Sequence, residues 1–406
     1  MATTEFRVLK SGLAAVQGLT AAGVACGLKK TGKADLALVV ADRPSTVAAT
    51  FTTNRVQAAP VRLSRRHLKG GRFAAVVLNS GNANACTGAR GRQDAEAMAA
   101  EVAKALGCPV GQVFVASTGV IGTPLPLDKI RAGIREAAGR LSRAGARAAA
   151  QAILTTDTFA KEAGVAFRQG GRRVTVAGFA KGAGMIAPRM ATMLAVVATD
   201  AAISGTLLRQ ALRAAVAESF NCVTVDGDTS TNDTVLCFAT GASGAPSIAA
   251  GSAAFRAFQV ALTTTCVRLA RLIALDGEGA TKLCVIQLRG ARSAAEADRA
   301  ARTVAESPLV KTTLFGEDIN WGRIMAALGR SGARFDPERV EIAVDGVTVV
   351  RAGMSAGPAA EARANRRLTR REFTLRIDLG AGRAAAHIWT TDLSEGYVRI
   401  NAGYRT

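Results

Sequence analysis

The chain has few aromatic residues and only two histidines, and both shortages limit what it can do. Phe, Trp and Tyr make up 4% of its 406 residues, too few for a base-stacking surface that would bind nucleic acid. The net charge of +21 is spread through alanine-rich stretches, which indicates a solvated basic surface. The residues around His67 and His387 indicate structural roles for both. Any covalent catalysis by this chain is therefore expected to use a base other than histidine.

Long apolar runs and paired cysteines are also missing. No stretch reaches the ~18 consecutive apolar residues of a membrane span, and Glu5, Arg7 and Lys10 stand where a signal peptide would be apolar. The seven cysteines include no C-x-x-C pair, so they predict neither a disulfide framework nor a metal site. We therefore expect a cytoplasmic protein with reduced thiols, no bound metal and no contact with a membrane.

What is present is an alternation of short β-branched runs with longer amphipathic stretches, which is typical of mixed α/β proteins. Strands are predicted at 74–78, 113–116, 174–180, 193–198 and 283–288. Helices are predicted at 93–106, 127–154, 205–219 and 252–274, and Gly139 and Gly145 are expected to interrupt the second of these. From about residue 292 the pattern predicts a separate α/β unit, with a helix at 294–306 and strands at 340–350 and 373–378.

Two glycine patterns imitate nucleotide sites without completing them. The run 27–33 has the spacing of a P-loop up to its lysine, but Ala34 stands where a hydroxyl should hold magnesium. The run 182–187 echoes a dinucleotide fingerprint, but Pro188 would obstruct the helix that must receive the pyrophosphate. We expect no nucleotide cofactor at either place.

A third glycine-rich segment carries the chemistry. In KGAGMIAPRMATMLA, residues 181–195, a proline-bearing loop runs into an apolar strand through Ala191 and Thr192. From spacing alone this is only a loop that enters a strand. A threonine whose own freed α-amine takes the proton from its hydroxyl is, however, one known route to a nucleophile without histidine.

The segment resembles the processing site of the ornithine acetyltransferase family, in which the bond before this threonine is cut autocatalytically and both chains stay together. Other matches follow in the family's order: AATFTTN at 48–54, NSGNANACTG at 79–88, STGVIG at 117–122, TVDGDTSTND at 224–233, DGEGATK at 276–282, NWGR at 320–323 and YVRINA at 397–402. The resemblance covers nearly the whole chain. Gly403 stands where a polar or acidic residue is common in the family.

The resemblance implies acetyl transfer from N-acetylornithine to glutamate through acetyl-Thr192, with ping-pong kinetics. Thr118 and Gly119 would hold the oxyanion, and the predicted strand before them would deliver a tight turn with free backbone N–H groups. Cleavage between Ala191 and Thr192 would let that threonine act. No cofactor is implied, and whether acetyl-CoA serves as a second acetyl donor stays open.

Substrate contacts are also carried over by position. Lys181 would pair with the α-carboxylate that both substrates share. Glu278 would attract either the ornithine ammonium or the Thr192 amine, and these two roles are not separated. A binding role for the last residues requires that the C-terminal tail be held in the site. The full predicted set is Thr158, Lys181, Thr192, Glu278, Asn401 and Thr406.

The implied fold is an α/β sandwich of the N-terminal-nucleophile type, shared by the processed chains 1–191 and 192–406. Residues 192–291 would complete the core and residues 292–406 would form the smaller unit. Two such pairs would make an α2β2 heterotetramer or a higher assembly. The alternative is a self-processing aminopeptidase of the same architecture, in which water attacks the acyl-threonine.

Overall fold

The computed structural model describes residues 5–187 and 193–403 and divides into two compact units. The first unit is built from the described residues of Met1–Asn221 and Asp228–Ile273. The second unit is built from those of Cys222–Gly227 and Ala274–Arg405. Each unit has its own sheet, and the predicted cleavage site and its surroundings belong to the first.

The first unit contains a nine-stranded mixed sheet with the order β1-β6-β7-β8-β9-β3-β4-β5, and β2 is paired to β3. Its strands are β1 Arg7–Leu9, β2 Leu19–Val24, β3 Leu36–Phe51, β4 Arg72–Asn82, β5 Val113–Val120, β6 Lys161–Gln169, β7 Arg172–Lys181, β8 Leu194–Thr199 and β9 Thr234–Ala239. Its helices are α1 Ala59–His67, α2 Gly88–Leu106, α3 Leu127–Gly139, α4 Ala146–Ala152, α5 Gly205–Ala217 and α6 Ala253–Leu275.

The sheet folds over on itself, and alternating residues of β3 show how. Successive side chains of a strand point to opposite faces. Val39 belongs to a buried cluster that includes Phe238 of β9. Its neighbour Leu38 belongs to a different cluster with Met98 of α2 and Ile134 of α3. One side of the β2–β5 layer therefore packs against the β6–β9 layer and the other side packs against helices.

Helix α6 covers the β6–β9 layer from outside. The Thr265 hydroxyl lies 3.3 Å from the Val176 carbonyl of β7, and Phe258 and Leu262 are fully buried. By length and composition alone α6 is apolar enough to cross a membrane, with a mean hydropathy of 1.3, but half of that stretch is buried within the protein. Helices therefore flank both layers, and the predicted α/β sandwich is confirmed.

The second unit has a six-stranded sheet with the order β13-β12-β11-β14-β10-β15. Its strands are β10 Leu283–Ala291, β11 Glu341–Val344, β12 Val347–Arg351, β13 Met354–Ser355, β14 Glu372–Asp378 and β15 Ala384–Thr391. Its helices are α7 Ala294–Ala305, α8 Pro308–Phe315, α9 Trp321–Gly329, α10 Pro358–Leu368 and α11 Glu395–Gly403. Buried alanines and Val304 of α7 pack on this sheet.

Most predicted elements are present, and the differences have local causes. The stretch 127–154 is divided into α3 and α4 around Gly139 and Gly145, as expected. The main segment of the second unit begins at Ala274 rather than near residue 292, because β10 pairs with β14 and β15 and therefore belongs to the second sheet. Sequence periodicity identifies a strand but not its pairing partners.

Candidate active site

Three strand ends of the first unit meet at one edge of the β6–β9 layer. Strand β7 runs antiparallel to β8, with Lys181 opposite Leu194, and β8 runs parallel to β9, with Leu194 opposite Thr234. The end of β7 and the starts of β8 and β9 therefore lie side by side. The predicted cleavage residues Ala191 and Thr192 lie outside the described residues, and Met193 is the first described residue after them.

Lys181 reaches from this edge to the other layer of the sandwich. Its side chain is buried, and its Nζ donates to the Oγ1 of Thr118 on β5 at 3.1 Å. A hydroxyl that accepts from an ammonium still has its own proton to donate. The structure thus brings two predicted site residues, 63 positions apart in sequence, into direct contact, with Thr118 oriented as a polarised donor.

The predicted tight turn at Thr118 and Gly119 is wrong, because β5 continues through both residues to Val120. The parallel pairing with β4 extends to Gly81 opposite Gly119. Gly119 has φ of +127°, and a Cβ there would lie 2.4 Å from the carbonyl carbon of Gly81. The two predicted oxyanion donors therefore lie at a distorted strand end that only glycine can complete.

Asn232 fixes the peptide that precedes Thr118. Its Nδ2 donates to the carbonyl of Ser117 at 2.8 Å and to the carbonyl of Ala83 at 2.7 Å. Because C=O and N–H point in opposite directions across a trans peptide, this contact also sets the direction of the Thr118 N–H. Asn232 is buried, so its amide serves as an internal clamp on the end of β5.

Asp157 holds the beginning of the glycine-rich loop. Its Oδ1 accepts from the Gly182 N–H at 2.7 Å and from the Lys161 Nζ at 2.6 Å, and its Oδ2 accepts from the Thr155 N–H at 3.0 Å. Burial alone would raise the pKa of Asp157, but the charges of Lys161 and Lys181 and these hydrogen bonds bring it to about 2. The buried carboxylate therefore stays ionised.

Asp233 stands at the start of β9 and is fully buried. Its Oδ1 accepts from the Met193 N–H at 2.9 Å, and the Met193 carbonyl accepts from the Thr234 N–H at 3.1 Å. Burial raises the pKa of Asp233 well above its usual range, although the Met193 hydrogen bond and the Lys181 charge oppose this. An acid thus sits beside the residue that follows the predicted nucleophile.

Two further predicted residues meet in the second unit. Glu278 is buried, and its Oε2 accepts from Asn401 Nδ2 at 2.9 Å. Asn401 lies in α11, which is a helix rather than a frayed end. The structure therefore joins Glu278 to the C-terminal segment, as a binding role for that segment requires.

Asp392 holds the loop that carries Glu278. Its Oδ1 accepts from the Thr281 and Lys282 N–H groups at 2.9 and 3.0 Å, and its Oδ2 accepts from the Thr281 hydroxyl at 2.5 Å. Buried Lys311 donates to the Thr391 carbonyl and hydroxyl just before Asp392. Burial lowers the pKa of Lys311 to about 8, against the opposing charge of Asp392. The Glu278 loop is therefore anchored from β15.

The remaining predictions have different outcomes. Thr158 is exposed and follows Asp157 directly, while Thr406 lies outside the described residues. Sequence reasoning assigned no role to Asp157, Asn232 or Asp233. The TVDGDTSTND run contains two of these residues, but only the fold shows that they contact β5 and β8.

Comparison with known proteins gives consistent matches. A family model described as the ArgJ family matches residues 20–406. The chain is 51% identical over 402 residues to the arginine biosynthesis bifunctional protein ArgJ of Symbiobacterium thermophilum, covering 98% of this chain and 99% of that protein. It is 50% identical over 391 residues to the protein of that name from Geobacter sulfurreducens, covering 96% and 100% respectively.

Among solved structures, the chain matches ornithine acetyltransferase from Mycobacterium tuberculosis, crystallised with ornithine. The identity is 44%, and the match covers 45% of this chain and 98% of that chain, with a TM-score of 0.43.

Proposed function

Because the chain belongs to the ArgJ family, we propose that it transfers acetyl from N2-acetyl-L-ornithine to L-glutamate in arginine biosynthesis, through acetyl-Thr192. The observation that carries this assignment is the contact between Lys181 and the Thr118 hydroxyl, beside the strand that Thr192 precedes in sequence. That edge offers a polarised donor and a cation beside the strand that follows Thr192 in sequence, which suits acyl transfer between amino acids.

The first step is self-cleavage. The Thr192 hydroxyl attacks the Ala191 carbonyl, the acyl group moves from nitrogen to oxygen, and water hydrolyses the ester to leave an Ala191 carboxylate and a free Thr192 amine. An N-terminal amine has an ordinary pKa of about 7.7 to 8.0, so an appreciable fraction is neutral near pH 7. That neutral amine then accepts the hydroxyl proton in later turnovers.

Acetyl transfer follows in two halves. Thr192 attacks the acetyl carbonyl of N-acetylornithine, and ornithine leaves as its amine takes a proton; glutamate then attacks acetyl-Thr192 and regenerates the hydroxyl. Each half passes through an oxyanion, which the Thr118 hydroxyl stabilises because Lys181 polarises it. The N–H of Gly119 is the second proposed donor.

Substrate recognition draws on the predicted binding residues. Lys181 attracts the α-carboxylate that donor and acceptor share, and Thr158 lies beside the Asp157 anchor of the same loop. Glu278 and Asn401, with Thr406, contribute the second group of contacts. The name of the curated relatives, a bifunctional protein of arginine biosynthesis, favours acetyl-CoA as a second donor, so that the enzyme also makes N-acetylglutamate.

The remaining proposals concern the assembly and its place in the cell. We place the processed α and β chains, 1–191 and 192–406, in an α2β2 heterotetramer in the cytoplasm. The partners are small-molecule substrates, with no nucleic acid and no membrane. A self-processing aminopeptidase remains the alternative, and it differs in releasing a hydrolysed product rather than an acetylated amine.

Intact mass of wild-type protein beside Thr192→Ala and Thr192→Ser tests this function. We expect two fragments that meet at Ala191 and Thr192 in wild type and one uncut chain for T192A. T192S retains a hydroxyl, so we expect it to be cut, but more slowly than wild type. Labelled N-acetylornithine should then give labelled N-acetylglutamate only with cut protein. Labelled free acetate without acetylglutamate would instead support hydrolysis, and transfer by an uncut wild-type chain would overturn the amine mechanism.

A further inference from the structure

The loop 26–34 contains the glycine run with P-loop spacing, to which the proposed reaction gives no role. Asp35 shapes this loop, because its carboxylate accepts three of the loop's backbone N–H groups at distances from 2.6 to 3.0 Å. A Cβ built on Gly81 would lie 3.4 Å from the Cβ of Leu28 in the loop, and Gly81 is paired with Gly119. The loop therefore packs against the strand end that carries the predicted oxyanion donors.

The side chain of Lys29 connects this loop to the same strand pair. Its Nζ donates to the carbonyl of Ala34 at 2.7 Å and to the carbonyl of Ala152 at 3.4 Å. The Ser80 hydroxyl donates to that same Ala152 carbonyl at 2.6 Å, and Ser80 is directly opposite Thr118 in the pairing of β4 with β5. Side chains of residues that lie opposite each other in a sheet point to the same face. The Lys29 ammonium therefore lies on the face of the strand pair from which the Thr118 hydroxyl projects.

Lys29 is half-buried and lies close enough to a second lysine to be affected by its charge. Burial lowers the pKa of Lys29 and Lys181 acts in the same direction, while the carboxylates of Asp35 and Asp157 oppose both. Because the ordinary value is 10.5 and two carboxylates oppose the decrease, Lys29 stays a cation near pH 7. Since Lys181 donates to the Thr118 hydroxyl, two cations lie near this strand end.

The charges around Lys29 leave it able to bind an anion. Of the two carboxylates nearby, Asp157 is paired with buried Lys161, and Asp35 is occupied by the backbone of its own loop. Within the described part of the chain, both hydrogen bonds of the Lys29 Nζ go to backbone carbonyls. An ammonium has three protons to donate, so one of them remains for a ligand. With Lys181 beside it, this place has a surplus of positive charge that attracts anions.

The two substrates of the proposed reaction share an α-carboxylate and differ at the other end. Glutamate ends in a second carboxylate, whereas N-acetylornithine ends in an ammonium. A lysine ammonium attracts the first group and repels the second, and both effects are stronger at a half-buried position than in water. Recognition of glutamate therefore calls for a cation in addition to the one that serves its α-carboxylate.

We infer that Lys29 is a specificity-determining residue for the acceptor, and that its ammonium binds the side-chain carboxylate of glutamate while Lys181 serves the α-carboxylate. This inference rests on the function proposed above. Lys29 then acts in the second half of the reaction, in which glutamate attacks the acetyl group. It contributes nothing to the first half, in which the substrate side chain is that of ornithine. A purely structural role, as an anchor of the loop 26–34, would affect both halves alike.

Ping-pong kinetics allow the two halves to be measured separately. Lys29→Met removes the charge and keeps the length of the side chain, and we expect it to lower kcat/KM for glutamate at least about tenfold. Two reactions should be nearly unchanged in K29M: acetyl transfer to glutamine, and exchange of labelled ornithine into N-acetylornithine without glutamate. Lys29→Arg retains the cation and should keep most of the preference for glutamate over glutamine. Lys30→Met, at the next and exposed residue, is the matched control and should change neither reaction.

Equal losses with glutamate and glutamine, or an equal loss in the ornithine exchange, would overturn the inference, as would a folded K29M protein with an unchanged preference. If K29M does not fold, acetylation of Lys29 by N-hydroxysuccinimidyl acetate is measured in wild-type protein, relative to Lys30. N-Acetylglutamate should protect Lys29 and N-acetylglutamine should not, whereas equal modification with both contradicts the inference. Wild-type protein without ornithine exchange would reject the proposed function instead.

Discussion

The buried pair of Asp157 and Lys161 shows how single residues stabilise the start of the loop before the proposed nucleophile. Both side chains are fully buried, and the pKa of Asp157 is about 2 in the folded protein against 3.8 for the free group. Since the folded value is depressed, this carboxylate stabilises the fold above pH 4 and loses that contribution as the pH falls toward 2. The contribution at neutral pH is about 2 kcal/mol.

Asp157→Asn is expected to lower the free energy of unfolding by about 3–5 kcal/mol at pH 7, because it removes the carboxylate that is paired with the buried Lys161 ammonium. The loss should be smaller near pH 3, where wild type has already begun to protonate Asp157. Urea unfolding at both pH values measures the difference, with exposed Asp128→Asn as the control. An equal loss at both pH values would contradict the assigned pKa.

At this scale the sequence predicted candidate reacting groups but not the residues that hold them in place. Thr118 and Lys181 could be proposed because their motifs carry them, and they do meet in the structure. Asn232 and Asp233 contact residues 115 and 40 positions away, respectively, and no local pattern encodes such a contact. Thr192 remains a prediction, since it lies outside the described residues.

The distorted end of β5 is the feature of greatest consequence at the scale of elements. Gly119→Ala would place a Cβ 2.4 Å from Gly81 and 2.5 Å from the Asn82 nitrogen, at a backbone angle that alanine rarely adopts. We expect a melting temperature several degrees lower and strongly slowed self-cleavage. Gly111→Ala, just before β5 and with no atom within 4 Å of the added carbon, should change neither.

The loop that carries Glu278 leads to a second prediction at the scale of elements. Asp392→Ala removes the acceptor for two backbone N–H groups and one hydroxyl, so Glu278 loses its fixed position. We expect kcat/KM for acetyl transfer to fall at least tenfold while self-cleavage remains complete. Asp345→Asn is the control, because Asp345, between β11 and β12, also accepts a backbone N–H in the second unit, from Thr374 of β14 at 2.9 Å. Unchanged transfer by D392A would remove Glu278 from the binding site.

Element positions were largely predictable because apolar periodicity reports which face is buried. The β7, β8 and α3 predictions needed only local patterns. The length of β5 and the sheet to which β10 belongs were not predictable, since both depend on pairing with strands from distant parts of the chain.

For the whole molecule, the place of β8 in the sheet determines how the proposed processed chains would behave. Strand β8 lies between β7, which the proposed cut would assign to the first chain, and β9, which it would assign to the second. After the cut, hydrogen bonds between β7 and β8 and a shared core would still join the two chains. We expect both fragments to elute as one species in native chromatography and to separate only in denaturant. Fragments that separate in plain buffer would contradict this topology.

The same strand order determines whether an unfolded molecule can refold. Before the cut, β7 and β8 belong to one chain and are separated by residues 182–193, so their pairing has a small entropic cost. After the cut, their reunion is bimolecular and depends on concentration, and each free chain exposes sheet edges that favour aggregation. Heat unfolding should then be reversible for the uncut T192A chain and irreversible for the mature enzyme. Synthesis of a new precursor, rather than renaturation, becomes the cell's route to replacing lost activity.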